Sequence, residues 1–205
     1  MGEVPESVWE QTMLETLVLA DNDLVAVSER IANLKLLRML DLGHNKLERV
    51  PAGLGELQGL TDFLYLHDNR LEALPDSLGK LTRLRYLNIS ENLFEVFPEC
   101  VTGMAGLIEL RMSGNRVRSI PDSITRLSRL RELHLRNNKL TTLPEGVGGL
   151  RALRQIDLRG NPLRELPESI AGLPRLEKLD LRWVETLEIP GWMRGLEAKG
   201  CAVYL

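Results

Sequence analysis

The chain is poor in the residues on which catalytic and disulfide-stabilised proteins depend. Its 205 residues include two cysteines and three histidines, and aromatic residues make up 4%. No CxxC pair, glycine-rich phosphate-binding loop or Ser-His-Asp set is recognisable in it. We therefore expect that the chain is not an enzyme and that it holds no cofactor and no metal ion.

Long apolar runs and a strong excess of one charge are also missing. No stretch of about 18 apolar residues occurs, so we expect no membrane-spanning helix. We also expect no signal peptide in residues 1–6, which read MGEVPE. The net charge is -3 and the pI is about 5.7, and this weakly acidic balance does not favour general binding to nucleic acid or to an anionic membrane.

Asparagine, in contrast, recurs at a nearly constant spacing. The steps between successive positions are 23, 24, 23, 23, 23 and 23 residues. Each asparagine lies in the frame L-x-x-L-x-L-x-x-N-x-L, as in residues 84–93, LRYLNISENL. A period of about 20 to 29 residues with this pattern predicts one structural unit per repeat, stacked into a solenoid. The positions are Asn22, Asn45, Asn69, Asn92, Asn115, Asn138 and Asn161.

The frame predicts one strand and one short helix in each repeat. The alternation L-x-L sends aliphatic residues inward and the residues between them outward. After each strand a proline recurs within P-x-x-L-x-x-L, and proline at the first position of a helix costs no hydrogen bond. We therefore predict a parallel sheet with short helices packed on its back. The eight predicted strand cores are 17–19, 40–42, 64–66, 87–89, 110–112, 133–135, 156–158 and 179–181.

The repeated asparagines are predicted to have a structural role rather than to contact a ligand. A buried side-chain amide can donate to and accept from backbone groups where the strand turns away. Leaving such a polar group unpaired costs about 1–3 kcal/mol, so each asparagine should matter to stability. Val184 stands where an eighth asparagine is due, which indicates that the pattern ends there.

One repeat carries an extra residue, between Leu60 and Leu64. This residue could enter the strand as a bulge, which would re-aim the nearby aromatic side chains. It could equally be an insertion in the turn before the strand. The sequence leaves both alternatives open.

The chain divides into a solenoid and two ends. We assign residues 1–13 to an N-terminal half-repeat or cap, residues 14–188 to eight repeats and residues 189–205 to a C-terminal cap. In the first segment Val8 and Trp9 match the helical half of a repeat, with Trp9 as a lid. A start in mid-repeat leaves room for further domains upstream.

The C-terminal cap is predicted to be a short amphipathic helix followed by a strand. Gly200 ends the helix, and residues 201–205 form the strand. We expect Trp192 and Leu196 to cover the core of the last repeat.

Cys100 and Cys201 are predicted to be free thiols. They lie about four repeats apart, and strands repeat every ~4.8 Å, so the distance between them is roughly 20 Å. A disulfide cannot span that distance. Unpaired thiols fit a reducing compartment, so we expect the cytoplasm, with export as an effector still open.

Over residues 4–190 these motifs resemble the leucine-rich repeat family. The 23-residue form with L-P-x-x-L-x-x-L is similar to the intracellular type of Ras-group and many bacterial proteins, and residues 196–204, LEAKGCAVY, are similar to the endings of bacterial members. The resemblance implies an α/β solenoid, a horseshoe with a parallel β-sheet on its concave face and short helices on its convex face. It implies non-catalytic binding of a protein partner there, alone or as the recognition arm of a larger bacterial effector or signalling enzyme. We expect a monomer.

The outward-facing strand positions are the candidate binding surface, because they are spared from the core. Aromatic and arginine side chains are the usual anchors of an interface, and several lie here. The first four strands present acidic residues without Lys or Arg, and the last four present Arg and Lys interleaved with acidic residues. All three histidines lie here, so binding is expected to vary between pH 5 and 7. The predicted contact residues are Phe63, Tyr65, His67, Tyr86, Arg111, His134, Arg136, Arg159 and Trp183.

Three other readings of these residues are weaker. Aromatic residues also suit strands, so the surface could be no more than a solvated sheet face. His67 and His134 lie about three strands, or ~14 Å, apart and cannot share an ion, although His44 and Asp68 stand near His67. Nucleic acid could bind along an arginine-rich flank, but nearby acidic residues balance it. The flank comprises Arg83, Arg85, Arg126, Arg129, Arg131, Arg151 and Arg154.

Overall fold

The computed structural model describes residues 2–205, which form one open sheet of parallel strands in chain order. Each strand is three residues long, with its central residue buried in β1 to β8 and its two flanking residues more exposed in β1 to β7. This is the predicted solenoid. The strands are β1 (Thr16–Val18), β2 (Met39–Asp41), β3 (Phe63–Tyr65), β4 (Tyr86–Asn88), β5 (Glu109–Arg111), β6 (Glu132–His134), β7 (Gln155–Asp157), β8 (Lys178–Asp180) and β9 (Ala202–Tyr204).

The extra residue of the third repeat lies in the turn before β3. Leu40 pairs with Leu64 and Leu64 with Leu87, so the register runs through β3 without a bulge. The backbone N–H of Arg85 donates to the Thr61 carbonyl, so the insertion is absorbed at residues 61–62. Of the two alternatives left open by the sequence, the bulge is wrong and the turn insertion is right.

The predicted short helices are single turns of 3-10 helix. Each repeated proline except Pro190 precedes one of them rather than opening it, as in Pro75, whose φ of -66° and ψ of 142° are extended. Its carbonyl accepts the first helical bond, from Leu78 N–H. Ser28 takes this place in the first full repeat, where its hydroxyl accepts from Arg30 N–H. The 3-10 helices span Glu6–Glu10, Glu29–Asn33, Ala52–Glu56, Asp76–Lys80, Glu99–Gly103, Asp122–Arg126, Glu145–Gly149 and Glu168–Gly172.

Leucines from the strands and the 3-10 helices form one continuous core. Leu87 of β4, Leu78 of the helix behind it and Leu81 at its end are all buried. Burying one such side chain contributes about 1.5–3 kcal/mol, and the same positions recur in each repeat. The sheet is therefore covered on one face only, and its other face is free for solvent or a partner.

Each buried asparagine joins two neighbouring repeats. Asn115 Oδ1 accepts from Phe94 N–H at 3.1 Å, and its Nδ2 donates to the Ile89 carbonyl at 3.0 Å. The same amide also donates to two carbonyls of its own repeat. Asn45, Asn69, Asn92, Asn138 and Asn161 repeat this arrangement.

A left-handed residue follows each of the first eight strands, immediately before the asparagine or its replacement. The backbone φ at these positions is between 51° and 65°. Glycine tolerates this conformation, whereas residues with a Cβ are strained in it. Two of the eight are glycine; the set is Asp21, His44, Asp68, Glu91, Gly114, Asn137, Gly160 and Trp183.

Apolar side chains close the core at both ends of the stack. Trp9 is 1% exposed and lies in the first 3-10 helix. At the other end, helix α1 (Met193–Ala198) buries Met193 and Leu196, while Trp192 before it is half-buried. Gly200, with φ of 89°, turns the chain from α1 into β9.

Candidate binding surface on the concave face

The face of the sheet turned away from the 3-10 helices carries the candidate site. We call it the concave face. It consists of the two flanking residues of each strand together with the second and third residues after the strand. Because the strands pair in register, equivalent residues form columns across the sheet. All nine predicted contact residues lie in these columns.

Aromatic and imidazole rings meet at β3 and β4, and we call this group the aromatic cluster. The ring centroids of Tyr65 and Tyr86 are 5.0 Å apart, and those of Phe63 and Tyr86 are 5.5 Å apart. Tyr65 also meets His67 at 5.9 Å, and His67 meets His44 at 4.7 Å. Phe63 remains 43% exposed, so the cluster presents apolar surface to solvent.

Packing within the cluster keeps the tyrosine hydroxyls protonated. Burial raises the pKa of Tyr86 to about 12 and also raises the pKa of Tyr65. Both side chains are therefore neutral at physiological pH. They offer a partner apolar ring surface with a hydroxyl that can donate or accept a hydrogen bond.

His44, His67 and Asp68 form a chain of polar contacts beside the cluster. His44 Nδ1 lies 2.6 Å from Asp68 Oδ2, and His44 Nε2 lies 3.2 Å from His67 Nε2. The hydrogen bond to Asp68 raises the pKa of His44, whereas burial and the neighbouring imidazole lower the pKa of His67. The two rings therefore prefer different protonation states.

Farther along the sheet, polar contacts within single strands hold the side chains of Arg111 and His134. Arg111 Nε lies 2.5 Å from Glu109 Oε1 in β5, and His134 Nε2 lies 3.2 Å from Glu132 Oε2 in β6. His134 Nε2 is also 3.7 Å from Glu109 Oε1. One ligand atom from each of Glu109, Glu132 and His134 lies within 4.8 Å of the other two, which the sequence did not predict.

The last two repeats form a network around one buried carboxylate. Asp180 is 0% exposed and accepts from Nε and Nη2 of Arg182 at 2.9 and 2.8 Å. Arg159 pairs in the same way with Asp157. The guanidinium carbons of Arg159 and Arg182 lie 5.7 and 5.9 Å from the centroid of the Trp183 ring, at cation–π distance.

Arg136 differs from these arginines because no carboxylate in residues 2–205 lies at salt-bridge distance from it. It lines a groove of about 380 Å³ on the concave face together with Ser113, His134, Gln155 and Arg159. A guanidinium without an intramolecular partner can pair with a carboxylate of a ligand without breaking an existing bond.

The repeat pattern is also recognised by two family models. The one described as "Leucine rich repeat" matches residues 62–117, and the one described as "Leucine-rich repeat region" matches residues 119–198. The chain belongs to the leucine-rich repeat family. Members of this family generally bind other proteins and are typically not enzymes.

Solved leucine-rich repeat structures superpose on 96% to 100% of the chain. A leucine-rich repeat protein of Leptospira interrogans is 31% identical with a TM-score of 0.92, and the match covers 100% of this chain and 52% of that one. A TDR receptor is 26% identical with a TM-score of 0.83, covering 96% and 35%. The plant peptide hormone receptor RGFR1, in complex with RGF2, is 25% identical with a TM-score of 0.72, covering 100% and 41%. This repeat domain thus spans about half the length of the Leptospira protein.

One further comparison and two features of the chain complete this description. A search of the curated proteins finds no match to this leucine-rich repeat chain. None of the helices in residues 2–205 has the length and apolar character that crossing a bilayer requires.

The predicted free thiols are confirmed, since neither Cys100 nor Cys201 is in a disulfide.

The fold brings some predicted contact residues together and separates others. Phe63, Tyr65, His67 and Tyr86 share the aromatic cluster. Arg136, His134, Arg111 and Arg159 line the groove. Trp183 is 65% exposed at the end of the concave face and lies at cation–π distance from Arg159 and Arg182.

Other residues complete these groups. The sequence already placed His44 and Asp68 near His67 but did not include them among the contact residues, and in the structure both extend the aromatic cluster. Tyr204 of β9 joins the arginine network, with Lys178 Nζ at 5.3 Å from its ring centroid. The pairing of Arg111 and Arg159 with acidic residues two positions away had a sequence signal only in the spacing D-x-R and E-x-R.

The arginine-rich flank considered for nucleic acid is partly occupied by internal contacts. Arg154 Nη1 lies 3.0 Å from Glu177 Oε1, and Arg151 Nη1 donates to the Gly172 carbonyl at 3.2 Å. Arg83 donates to the Gln58 carbonyl. These contacts agree with the charge balance expected of a solvated flank.

Proposed function

We propose that this chain is a non-catalytic protein-binding module whose partner lies on the concave face. The observation that carries the proposal is the aromatic cluster, in which Phe63, Tyr65 and Tyr86 lie 5.0 to 5.9 Å apart on the concave face. Rigid aromatic side chains bury a large area at low entropic cost and are enriched among the residues that dominate binding energy. Protein binding is also the general activity of the family.

The groove lined by Arg111, Arg136 and Arg159 gives this surface a second region of different chemistry. Arg136 offers an unpaired cation, while Arg111 and Arg159 are held in place by their carboxylate partners. A partner that spans both regions would place apolar side chains on the aromatic cluster and a carboxylate at Arg136. Electrostatic pairing of this kind fixes the orientation of a partner more than it adds affinity.

An affinity pull-down followed by titration tests the proposal. The wild-type chain serves as bait in a native lysate, and the captured protein is then titrated against Tyr65→Ala, Tyr86→Ala and Arg136→Ala together. Interface anchors contribute about 2 kcal/mol or more each, so we expect the dissociation constant to rise at least about 100-fold. The matched control changes Val96 and Arg129, both exposed away from the concave face, to alanine. Equal affinity of the triple variant and the control variant would refute the concave-face site.

We infer that the module works in the cytoplasm as a monomer, either alone or as part of a larger protein. Two free thiols support the compartment, because oxidising compartments favour disulfides. Cell fractionation checks the compartment, and light scattering of the purified chain checks the oligomeric state. A gel-shift titration at low salt checks the expectation that nucleic acid does not bind.

A further inference from the structure

Two of the three histidines of the chain hold their ring nitrogens at the separation of donors on one metal ion. His44 Nε2 and His67 Nε2 are 3.2 Å apart, and their rings meet nearly edge-on at an interplanar angle of 79°. With Zn–N bonds of about 2.0–2.1 Å and a tetrahedral angle, two nitrogen ligands of zinc lie roughly 3.3 Å apart. An ion bound to both nitrogens would lie off the line that joins them, because two bonds of about 2 Å together exceed their 3.2 Å separation.

The other nitrogen of His44 is already held by a carboxylate. His44 Nδ1 lies 2.6 Å from Asp68 Oδ2, so the Nδ1–H donates to Asp68 and the Nε2 lone pair points towards His67. Metal-binding histidines are almost always oriented in this way by a carboxylate or carbonyl on the second nitrogen. Asp68 therefore selects the tautomer of His44 that a metal requires.

The backbone is shaped to place the two rings side by side. His44 occupies the left-handed turn after β2 with φ of 53°, which brings it into register with Asp68 of the next repeat. The His67 ring lies directly over Gly43, where an added Cβ would stand 2.4 Å from His67 Cε1. Glycine at position 43 is what leaves room for the His67 ring.

The surrounding charge also favours a cation. The carboxylates of Asp21, Asp41 and Asp68 act electrostatically on both imidazoles. The concave positions of the first four strands carry no lysine or arginine to offset them. His67 Nδ1 is buried without a hydrogen-bond partner in residues 2–205, so His67 would carry its ring proton there without the second-nitrogen partner that His44 has.

We propose that His44 and His67 form a two-histidine binding site for a divalent transition-metal ion of the zinc and copper class, with Asp68 as the residue that orients His44. Neutral imidazole suits these ions better than it suits magnesium or calcium. Two protein ligands leave coordination positions open to water or to an oxygen or nitrogen of another molecule. The site shares His67 with the proposed protein-binding surface, but it needs no protein partner, because both ligands belong to this chain.

The group Glu109, Glu132 and His134 is the competing location for an ion. Its donors lie within 4.8 Å of one another, but Arg111 Nε already occupies Glu109 Oε1 at 2.5 Å. A metal there would have to displace a charged partner, whereas no cation lies at salt-bridge distance from Asp68 other than His44 among the described residues. The His44–His67 pair is therefore the favoured site.

Calorimetric titration of Zn²⁺ into the chelator-treated full chain at pH 7.5 tests the site. We expect one ion per chain, with binding weakened at least about 10-fold in His44→Ala and in His67→Ala, and about 10-fold in Asp68→Asn because it loses the orienting carboxylate. His134→Ala is the matched control and should bind as wild type does. Circular dichroism and the unfolding midpoint without metal show whether each variant is folded.

Substitution of Co²⁺ for Zn²⁺ gives a second readout that does not depend on heat. Visible absorption of a tetrahedral or five-coordinate Co²⁺ site with nitrogen ligands should appear in wild type and His134→Ala and disappear in the His44→Ala, His67→Ala double variant. Loss of binding in His134→Ala with retention in His44→Ala would overturn the proposal in favour of the Glu109 group. Equal binding by the wild type and the double variant would overturn it outright.

Discussion

At the scale of single residues, stability depends on a few polar side chains inside an aliphatic core. Each buried asparagine satisfies backbone groups that neither strand nor helix can reach. Asn115, in the middle of the stack, makes four such hydrogen bonds. Asn22, at the N-terminal end, is half-exposed and its amide donates to one carbonyl, that of Ala20.

The position of an asparagine should therefore set the cost of removing it. We expect Asn115→Ala to lower the free energy of unfolding by about 3 kcal/mol, because it leaves several buried groups unpaired. Asn22→Ala should cost about 1 kcal/mol or less. Urea denaturation of both variants measures the difference. Equal losses would show that the buried asparagines do not stabilise the fold through these hydrogen bonds.

The buried carboxylate of Asp180 should make part of the stability depend on pH. Burial raises the pKa of Asp180, but hydrogen bonds from the Arg182 side chain and backbone, with the charge of Arg159, outweigh it and hold the pKa below its ordinary value. A lowered folded-state pKa stabilises the fold above the unfolded-state value, about 3.9, and the gain is lost as the pH falls through the folded-state pKa.

Asp180→Asn is thus expected to destabilise the protein at pH 7 by about 1.5–3 kcal/mol, the range for hydrogen bonds to charged groups. The difference from wild type should shrink as the pH falls below about 4. Thermal unfolding from pH 7 to pH 3 measures it. The exposed Glu48→Gln variant is the control and should run parallel to wild type at every pH.

Residue identities predicted the asparagine ladder but not the contacts among charged side chains. The frame alone assigned Asn45 to Asn161 to the interior, because each follows the buried leucines at a fixed offset. In contrast, Arg159 and Arg136 occupy equivalent places in their repeats. Arg159 pairs with Asp157, two residues before it, whereas Arg136 has His134 at that offset and no carboxylate at salt-bridge distance among residues 2–205. The D-x-R spacing carried this signal, but the distances came only from the structure.

At the scale of elements, the turn after each strand is the most constrained part of a repeat. The chain must leave the sheet through a left-handed residue, and Gly160 takes this conformation with φ of 65°. An added Cβ there would also stand 2.3 Å from Asn137 Oδ1. Gly172, in contrast, ends a 3-10 helix and has no atom within 4 Å of its Cβ position.

These two glycines should respond in opposite ways to alanine. Gly160→Ala should lower the free energy of unfolding by about 1–2 kcal/mol, because alanine is strained at positive φ. Gly172→Ala should be neutral or stabilise by up to about 1 kcal/mol, because it restricts the unfolded chain. Chemical denaturation of both variants measures the pair, and a gain in stability for Gly160→Ala would contradict the strain argument.

The sequence predicted which elements exist better than it predicted their exact form. Alternation of L-x-L predicted β1 to β8 to within one residue, since a period of two is specific to a strand, and each observed strand begins and ends one residue before the predicted core. The motif P-x-x-L-x-x-L predicted a short helix in each repeat, and the helix that forms is five residues long. Such a segment closes only i to i+3 bonds, so it is 3-10, and Pro75 lies before the helix rather than in its first turn.

At the scale of the whole molecule, each repeat contacts only its neighbours. The stack therefore lacks the long-range contacts that make a globular domain unfold as one unit, and its stability is close to a sum of repeat and interface terms. Trp9 lies at the N-terminal end of the stack, is 1% exposed and covers the core of the first repeats.

Removing the lid should loosen only the end that it covers. We expect Trp9→Ala to cost about 3 kcal/mol and to reduce amide protection mainly in β1 and β2. Protection in β6 to β8 should be unchanged. Hydrogen exchange resolved by peptide measures this, and a uniform loss of protection over all strands would mean that the stack unfolds as one unit.

The period predicted the architecture of the molecule, whereas the grouping of its surface residues needed the structure. A spacing of 23 residues fixes which side chains share a column, so the concave face could be assigned before its shape was known. Whether neighbours in a column stack, pair or repel depends on distances of a few ångströms. His44 and His67 illustrate this, since they lie in adjacent columns and still approach to 3.2 Å.

The asparagine ladder has a consequence for how such a gene can change. Asn69, Asn92 and Asn115 each bond to the preceding repeat through the same two backbone positions, so the joints between repeats are interchangeable. Duplication or loss of one unit of 23 codons would leave every remaining joint chemically intact. Recombination could thus lengthen, shorten or reorder the concave face without inventing a new core.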